Sequence, residues 1–204
     1  MLSLRTCCCA VVAAISFIAV PQAQASSGNG TITDIVISRS GGEFDNKKRD
    51  YDILLTAVVT AGLAEALADP DVTLTLFAPN DRAFFRLARD LGYEGGYDEE
   101  AIWLFLVGAL TELGGGDPIP VLTDILLYHV VDGNIRPINL IFATFLQQPL
   151  TTLAAGATFQ PFFFTLIDND PNLRNPSVTW PFNIRASNGR VHSINRVLIP
   201  VDLP

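Results

Sequence analysis

Two histidines and three cysteines are the side chains of this 204-residue sequence best suited to acid–base or nucleophilic chemistry at neutral pH. His129 is followed by two valines and has no second histidine at the His-x-x-x-His spacing of a zinc helix. No Gly-x-Ser-x-Gly turn is present to expose a serine nucleophile. The sequence therefore predicts neither an enzyme nor a metal or cofactor site, and a hydrolase with an unrecognised site is kept as a remote alternative.

Acidic side chains are the other candidates for chemistry. Residues 168–172, Asp-Asn-Asp-Pro-Asn, are similar to the start of a calcium-binding EF-hand loop. That loop needs glycine at its sixth position and glutamate at its twelfth, where this sequence has Leu173 and Thr179. An Asx-rich turn is the expected structure. Glu99 and Glu100 are adjacent and would point apart on a helix, so they are poor candidates for paired acid–base work.

The N-terminus has the pattern of a secretory signal peptide over residues 1–25. Arg5 precedes an apolar run over residues 7–20, and Ala23 and Ala25 form a small-x-small cleavage pattern. Cys7, Cys8 and Cys9 lie inside this segment, so a cysteine-free secreted chain is expected. The apolar run is shorter than the roughly 20 residues that span a bilayer. A retained N-terminal anchor is the alternative.

The charge of the sequence is acidic, with 13 basic and 21 acidic residues and a net charge of −8. Cleavage of the expected signal would remove one arginine and no acid, which makes the net charge −9. An acidic domain repels phosphate backbones, so no nucleic-acid partner is expected.

Residues 199–204 have no apolar tail for a glycolipid anchor. Asn29 begins the Asn-Gly-Thr glycosylation sequence.

The apolar periodicity divides the chain into helices first and strands later, which predicts an α+β domain. A loose N-terminal segment over residues 26–50, including a first strand, precedes a single domain over residues 51–204 that could begin near residue 31. The predicted helices cover residues 52–68, a segment after residue 81, residues 98–113 and residues 120–127. Within the third of these, residues 101–110 are apolar apart from Gly108. The predicted strands cover residues 72–76, 128–131, 151–164, 178–186 and 190–199.

Two turns have strong local signals. Pro79 fixes its own φ and Asn80 can cap the following helix, which predicts a sharp strand-to-helix corner. Asn188 and Gly189 tolerate positive φ and predict a hairpin between the last two strands. On the last strand, His192 shares a face with apolar residues and is expected to be a hydrogen-bonded core residue.

Three segments, in this order, resemble the fasciclin domain: residues 75–84, 127–131 and 187–200. The first is similar to the family's Ala-Pro-Asn box, the second to its Tyr-His segment and the third to its second signature box. Pro79, Asn80, Asn188, Gly189 and His192 belong to this structural signature. The resemblance implies a β-sandwich or wedge with several helices packed around it. It also implies a secreted, non-catalytic protein that binds a cell-surface or matrix protein or polysaccharide.

The same resemblance directs attention to four residues as a candidate adhesion site. Animal members are associated with an Asp-Ile pair before the second box, and the corresponding positions here are Asn183 and Ile184. Tyr128 and His129 match the Tyr-His segment. Their alternative role is core packing with one hydrogen bond.

Aromatic residues beyond the needs of a small core suggest an apolar ligand as the alternative partner. Some microalgal members of the family bind carotenoids, which need an apolar groove. The candidate groove residues are Trp103, Phe105, Phe142, Phe145 and Phe163. The alternative is that a longer chain simply has a larger core.

Overall fold

A computed structural model of the chain describes residues 30–42 and 44–200. The expected signal peptide, its three cysteines and Asn29 lie outside the described residues. Within the described ranges the chain forms seven α-helices and seven strands. The helices are α1 (Ile32–Ser40), α2 (Asp52–Thr60), α3 (Ala64–Ala68), α4 (Asp81–Asp90), α5 (Glu99–Leu113), α6 (Pro118–Tyr128) and α7 (Pro137–Leu146).

The strands form two sheets, which confirms the predicted α+β class. The strands are β1 (Leu74–Pro79), β2 (Val130–Asp132), β3 (Leu150–Thr151), β4 (Thr158–Phe162), β5 (Thr165–Ile167), β6 (Ile184–Ala186) and β7 (Gly189–Ile194). The larger sheet has the order β2-β1-β7-β6, and the smaller has the order β3-β4-β5. Only the β1–β7 pair is parallel among these strands.

The parallel pair of β1 and β7 lies at the centre of the fold. Its register runs from Leu74 opposite Gly189 to Pro79 opposite Ile194. Gly189 has φ 148°, and a Cβ atom there would lie 1.7 Å from the carbonyl oxygen of Leu74. Only glycine therefore allows this approach. The pair brings the two signature segments, 75–84 and 187–200, side by side.

Each face of the central pair covers a separate hydrophobic core. Leu76 and Val191 face the first core, which is completed by α1, α2, α4, α5 and α6. Phe77 and Ile194 face the second core, which holds Phe159 of the smaller sheet. Every residue of β1 and β7 is buried. The prediction of a half-buried strand over residues 72–76 is therefore wrong, because both faces of β1 are covered.

Helix α1 corrects the expectation of a first strand within residues 26–50. Thr31 and Asp34 form a capping box, in which the Thr31 side chain accepts from the Asp34 N–H and the Asp34 carboxylate accepts from the Thr31 N–H at 2.8 Å. Gly41 ends the helix with φ 70°. The β-branched residues of this segment suggest a strand, but the capping box and packing against the first core stabilise a helix.

Two further elements differ from the prediction. The helix expected over residues 52–68 is divided into α2 and α3, because Gly62 adopts φ 69° between them. Helix α7 lies between the strands predicted over residues 128–131 and 151–164, where no helix was predicted: Pro137 begins it at the first helical position, and Leu140 and Ala143 face inward. In the part of the chain that the structure describes, no helix combines the length and the hydropathy of a transmembrane span.

Candidate functional site

The predicted corner after β1 positions two helices. The Asn80 side chain accepts from the Ala83 N–H at 3.0 Å and caps α4, as predicted. The next residue, Asp81, is fully buried and accepts from the N–H groups of Asp52 and Ile53 at 3.2 and 2.9 Å. The side chain of Asp81 thus satisfies the first turn of α2, which fixes α2 against α4.

Tyr128 and His129 lie in the interior, so neither can touch a partner directly. Tyr128 is 0% exposed and donates to the carbonyl of Thr158 at 2.9 Å. His129 is 1% exposed; its Nδ1 donates to the carbonyl of Ile125 at 2.7 Å, and its Nε2 accepts from the Leu198 N–H at 2.9 Å. Burial lowers the pKa of His129 to about 4. In the structure, Tyr128 and His129 therefore pack in the core, which is the alternative role given for them in the sequence analysis.

His192 is also a core residue, as the strand pattern predicts. Its Nε2 donates to the carbonyl of Ile135 at 2.8 Å, and its Nδ1 accepts from the Asn183 N–H at 3.3 Å. The ring stacks on Phe77 with centroids 5.5 Å apart. Burial lowers the pKa of His192, so both imidazoles are neutral at neutral pH with each ring nitrogen occupied.

Asn183 and Ile184 remain at the surface, beside β7. Asn183 is exposed with φ 59°, and its side-chain oxygen accepts from the guanidinium of Arg190. Ile184 begins β6 and is half-buried. The pair stays a predicted contact site. It offers an amide rather than a carboxylate, so it cannot ligand a partner's metal ion as an aspartate would.

The five candidate groove residues do not line a common groove. Trp103 and Phe105 are half-buried on α5 against the first core, where Phe105 contacts Tyr93 with ring centroids 5.2 Å apart. Phe142 and Phe145 project from α7, and Phe163 lies in the β4–β5 turn. The rings of Phe145 and Phe163 are 5.9 Å apart. Of the predicted set, therefore, Phe145 on α7 contacts Phe163 in the β4–β5 turn, and the two residues on α5 lie against the first core.

Exposed aromatic rings are concentrated at and after the β4–β5 turn, and the six residues that carry them are together called the aromatic surface. Six exposed rings form two contact chains, Phe145–Phe163–Phe162 and Phe164–Phe182–Trp180, with neighbouring centroids 5.3–6.2 Å apart. Their exposed fractions range from 38% to 76%. The three successive phenylalanines are visible in the sequence, but Trp180 and Phe182 join them only because the chain folds back along β5.

Hydrogen bonds hold the backbone that carries the aromatic surface. Thr144 of α7 accepts from the Phe163 N–H at 2.6 Å and donates to the carbonyl of Pro161 at 3.2 Å. The Val178 N–H donates to the carbonyl of Phe164 at 2.7 Å. Phe163 itself has φ 55°, a left-handed conformation that disfavours a bulky side chain. Such strain is typical of positions whose side chain has a function.

A group of four carboxyl groups is a second site that sequence analysis missed. Asp45, Asp50, Asp52 and Glu99 each place an oxygen within 4.8 Å of the others. Burial, followed by repulsion from Asp50, raises the pKa of Asp52 to about 6. Glu99 is more than forty positions from the other three in sequence, so no local motif predicts the group. By contrast, Asp170 accepts from the N–H groups of Asn172 and Leu173, as in the expected Asx-rich turn.

Comparisons with known proteins agree with the fold and with two of the three sequence segments. Residues 110–200 match the family model of the Fasciclin domain, a range that includes Tyr128, His129 and the 187–200 segment but not residues 75–84. No curated protein matches the chain by sequence.

Among solved structures, the chain is similar to a FAS1 domain pair from the insect cell adhesion molecule fasciclin I. The TM-score is 0.55 at 13% identity, and the similarity covers 83% of this chain and 51% of that one. The chain thus spans about half the length of the domain pair, and at this identity the likeness shows the fold. Residues 110–200 are thus similar in sequence to the Fasciclin domain, and most of the chain has the fold of a FAS1 domain.

Proposed function

We propose that the chain is a secreted, non-catalytic binding module that attaches to a cell-surface or matrix component through its aromatic surface. The observation that carries the proposal is the six-ring surface of Phe145, Phe162, Phe163, Phe164, Trp180 and Phe182. Exposed apolar surface beyond single scattered residues marks an interaction site, and aromatic side chains supply most of the affinity at such sites.

Two features support binding rather than catalysis. Both imidazoles are buried and use both ring nitrogens in hydrogen bonds, so neither is available as a general base. The fasciclin domain match and the likeness to an insect cell adhesion molecule favour adhesion as the role. The acidic net charge favours partners that are not anionic.

The backbone at Phe163 allows a sharp test. Phe163→Gly removes the central ring of one contact chain and also relieves a left-handed φ, so the variant should fold at least as stably as the wild type. Immobilised protein should capture cells of the source organism, and we expect Phe163→Gly and Phe145→Ala to reduce capture about tenfold, the effect of losing one aromatic anchor.

A matched control is available on α5, the helix that packs against the first core. Leu104 on α5 is 63% exposed and lies outside the aromatic surface, so Leu104→Ala should retain full capture. Protease or glycosidase treatment of the cells then identifies the partner as protein or polysaccharide. Equal capture by wild type and both aromatic variants would contradict the proposal.

A second candidate function is storage or transport of an apolar small molecule, which a cavity of about 310 Å³ favours. Its lining includes Leu63, Leu67, Leu74 and Leu126, with the carboxylates of Asp69 and Asp132. The volume is at the lower end for ligand sites, which suits an acyl chain rather than a whole carotenoid.

Native mass spectrometry and the absorption spectrum of protein purified from its source test this candidate. A co-purifying apolar ligand that Ala66→Trp displaces would support it, since Ala66 also lines the cavity. A ligand-free wild type, with no retention of added fatty acid or carotenoid on gel filtration, would contradict it.

A further inference from the structure

The carboxyl group cluster of Asp45, Asp50, Asp52 and Glu99 lies between the loop before α2 and the N-terminus of α5. The four residues differ in burial: Asp52 and Glu99 are buried, Asp50 is half-buried and Asp45 is exposed. This gradient gives an ion a route from solvent to the buried oxygens. Asp52 also lines a cavity of about 230 Å³ with Gly42, Phe44, Leu55 and Thr56.

The loop that carries Asp45 and Asp50 and leads into Asp52, the first residue of α2, is held in place by hydrogen bonds. Asn46 and Glu99 bind reciprocally: the Asn46 N–H donates to Glu99 at 2.8 Å, and the Glu99 N–H donates to the Asn46 side chain at 3.1 Å. Tyr97 donates to the other oxygen of Glu99 at 2.8 Å. The Asp81 N–H donates to the carbonyl of Asp50 at 3.2 Å.

Two buried oxygens of the cluster lack a hydrogen-bond partner. Asp52 is 3% exposed, and its Oδ1 accepts no hydrogen bond; the same is true of the buried Oδ1 of Asp50. A buried carboxylate oxygen left without a donor is costly, and native proteins satisfy such atoms with a donor or a cation. This observation is independent of the clustering, and it leaves a buried carboxylate oxygen of Asp52 free to bind a cation.

The basic side chains nearby do not supply that positive charge to the buried oxygens. Of the ion pairs among residues 30–42 and 44–200, only Lys47–Asp45 involves the cluster, and it binds the exposed member. Lys48 lies over the ring of Tyr97, 4.9 Å from its centroid. Among the described residues, Asp50, Asp52 and Glu99 therefore form no ion pair with a basic side chain, although the charge of Lys47 also acts on Asp50 and Asp52 from a distance.

We propose that Asp45, Asp50, Asp52 and Glu99 form a Ca²⁺ site that fastens the loop over residues 45–52 to the start of α5. All four ligand atoms are oxygens, the donors that hard divalent cations prefer. Ca²⁺ binds oxygen at about 2.3–2.6 Å, so one ion reaches oxygens up to about 5 Å apart. The mutual 4.8 Å limit of the cluster fits that span, whereas Mg²⁺ demands near-ideal octahedral geometry and gives up its bound water reluctantly.

This site revises the sequence-based expectation of no metal, and it does not depend on the aromatic surface. Its role is structural, because an ion on these four oxygens would add to the hydrogen bonds between Asn46 and Glu99 and hold the same two segments together. Capture of cells and binding of Ca²⁺ are separate measurements, so either proposal can fail alone.

Thermal unfolding of the full chain tests the site. Protein freed of metal with a chelator should gain several degrees in Tm on addition of Ca²⁺ in a saturable manner, because the ion binds the folded state alone. The same concentration of Mg²⁺ should give a much smaller rise. An unchanged Tm with Ca²⁺ would overturn the site, and an equal rise with Mg²⁺ would overturn its assignment to Ca²⁺.

Isosteric amides separate the site from general effects of charge. Asp52→Asn removes repulsion and keeps the oxygen that accepts from the Asp45 N–H, so in chelator this variant should be at least as stable as the wild type, yet its Tm should no longer respond to Ca²⁺. Glu99→Gln keeps only one of the two acceptor oxygens, so it should be less stable in chelator and should also lose the response. Asp168→Asn is the matched control, since Asp168 also has an unpartnered buried oxygen but lies outside the cluster. A wild-type response in Asp52→Asn or Glu99→Gln would overturn the proposal.

Asp45→Asn provides a variant that does not touch the buried part of the site. Its side chain is exposed, so folding should be unaffected, and calorimetric titration should show Ca²⁺ affinity reduced by about tenfold through the loss of one charged ligand. Unaltered affinity in this variant would remove Asp45 from the ligand set and overturn the site as proposed.

Discussion

Hydrogen bonds on both nitrogens of each imidazole determine what the two histidines do. The carbonyl of Ile125 and the N–H of Leu198 hold His129 as a neutral ring between α6 and the segment after β7. The ring therefore joins two distant parts of the chain and is part of the core. A side chain that is reactive in isolation acts here as a structural link.

The protonation of His129 gives a prediction at the residue scale. Burial lowers its pKa from 6.5 to about 4, so the stability from the neutral ring is complete above pH 6.5 and is lost as the pH falls towards 4. Relative to His129→Gln, which keeps a donor and an acceptor that do not titrate, the wild type should lose about 3 kcal/mol over this interval.

Chemical denaturation of both proteins at pH 7 and pH 4 measures that difference. The comparison with His129→Gln removes the effect of the buried carboxyl groups, whose raised pKa values change stability in the opposite direction. An NMR titration in which His129 protonates near pH 6.5 would contradict the prediction.

Gly189 gives a second prediction at this scale. A Cβ atom at this position would overlap the backbone of Leu74, so Gly189→Ala should separate β1 from β7 and cost about 3 kcal/mol or more. Gly62 is the matched control, because it also has positive φ but has open space around it. Gly62→Ala should cost about 1 kcal/mol. Equal free energies of unfolding for the two variants would contradict the steric argument.

At the scale of elements, α7 and the β4–β5 turn form one unit. Thr144 accepts from the Phe163 N–H and donates to the carbonyls of Pro161 and Leu140. This single hydroxyl group sets where the phenylalanine turn lies relative to the helix that carries Phe145. The aromatic surface therefore depends on a contact between a helix and a hairpin that are 19 positions apart in sequence.

Replacing that hydroxyl group tests the unit. Thr144→Val keeps the shape of the side chain but leaves the Phe163 N–H without its acceptor, so it should cost about 1–2 kcal/mol and also reduce cell capture. Thr111→Val is the control, because the Thr111 hydroxyl donates only within its own helix, to the carbonyl of Val107 at 2.7 Å. We expect denaturation and capture assays to show little change in the control, and full capture by Thr144→Val would contradict the link.

At the scale of the whole molecule, two cores share one pair of strands. Leu76 faces the first core and Phe77 the second, although they are adjacent in β1, because side chains alternate along a strand. Loss of either core would expose one face of β1 and β7. The two cores should therefore unfold together.

Phe159→Ala tests this coupling from the second core. The Phe159 ring contacts Phe77 and Tyr128, with centroids 5.3 and 6.1 Å away, so the variant should lose about 3–5 kcal/mol. In a Trp180→Phe background the remaining tryptophan is Trp103, which packs on the first core, so its fluorescence and far-ultraviolet circular dichroism should still report one coincident transition. Two separate transitions would show that the cores are independent.

The sequence by itself determined those features whose causes are local. The Asn80 cap, the hairpin at Asn188 and the α+β class follow from residues within a few positions of one another. The capping box of Thr31 and Asp34 was available in the same way and could have identified α1. The resemblance at residues 127–131 and 187–200 likewise needed only adjacent residues, and both segments lie within the range that matches the Fasciclin domain model.

The tertiary structure decided everything that depends on which distant segments meet. It buried Tyr128 and His129, separated Trp103 from Phe145, and placed Glu99 among the aspartates of the loop before α2. The parallel pairing of β1 with β7, more than a hundred positions apart, covers both faces of β1 and so cannot be read from its own alternation. Local patterns record the preferences of the backbone, whereas sites arise from long-range packing, where burial and charge are set by neighbours distant in the chain.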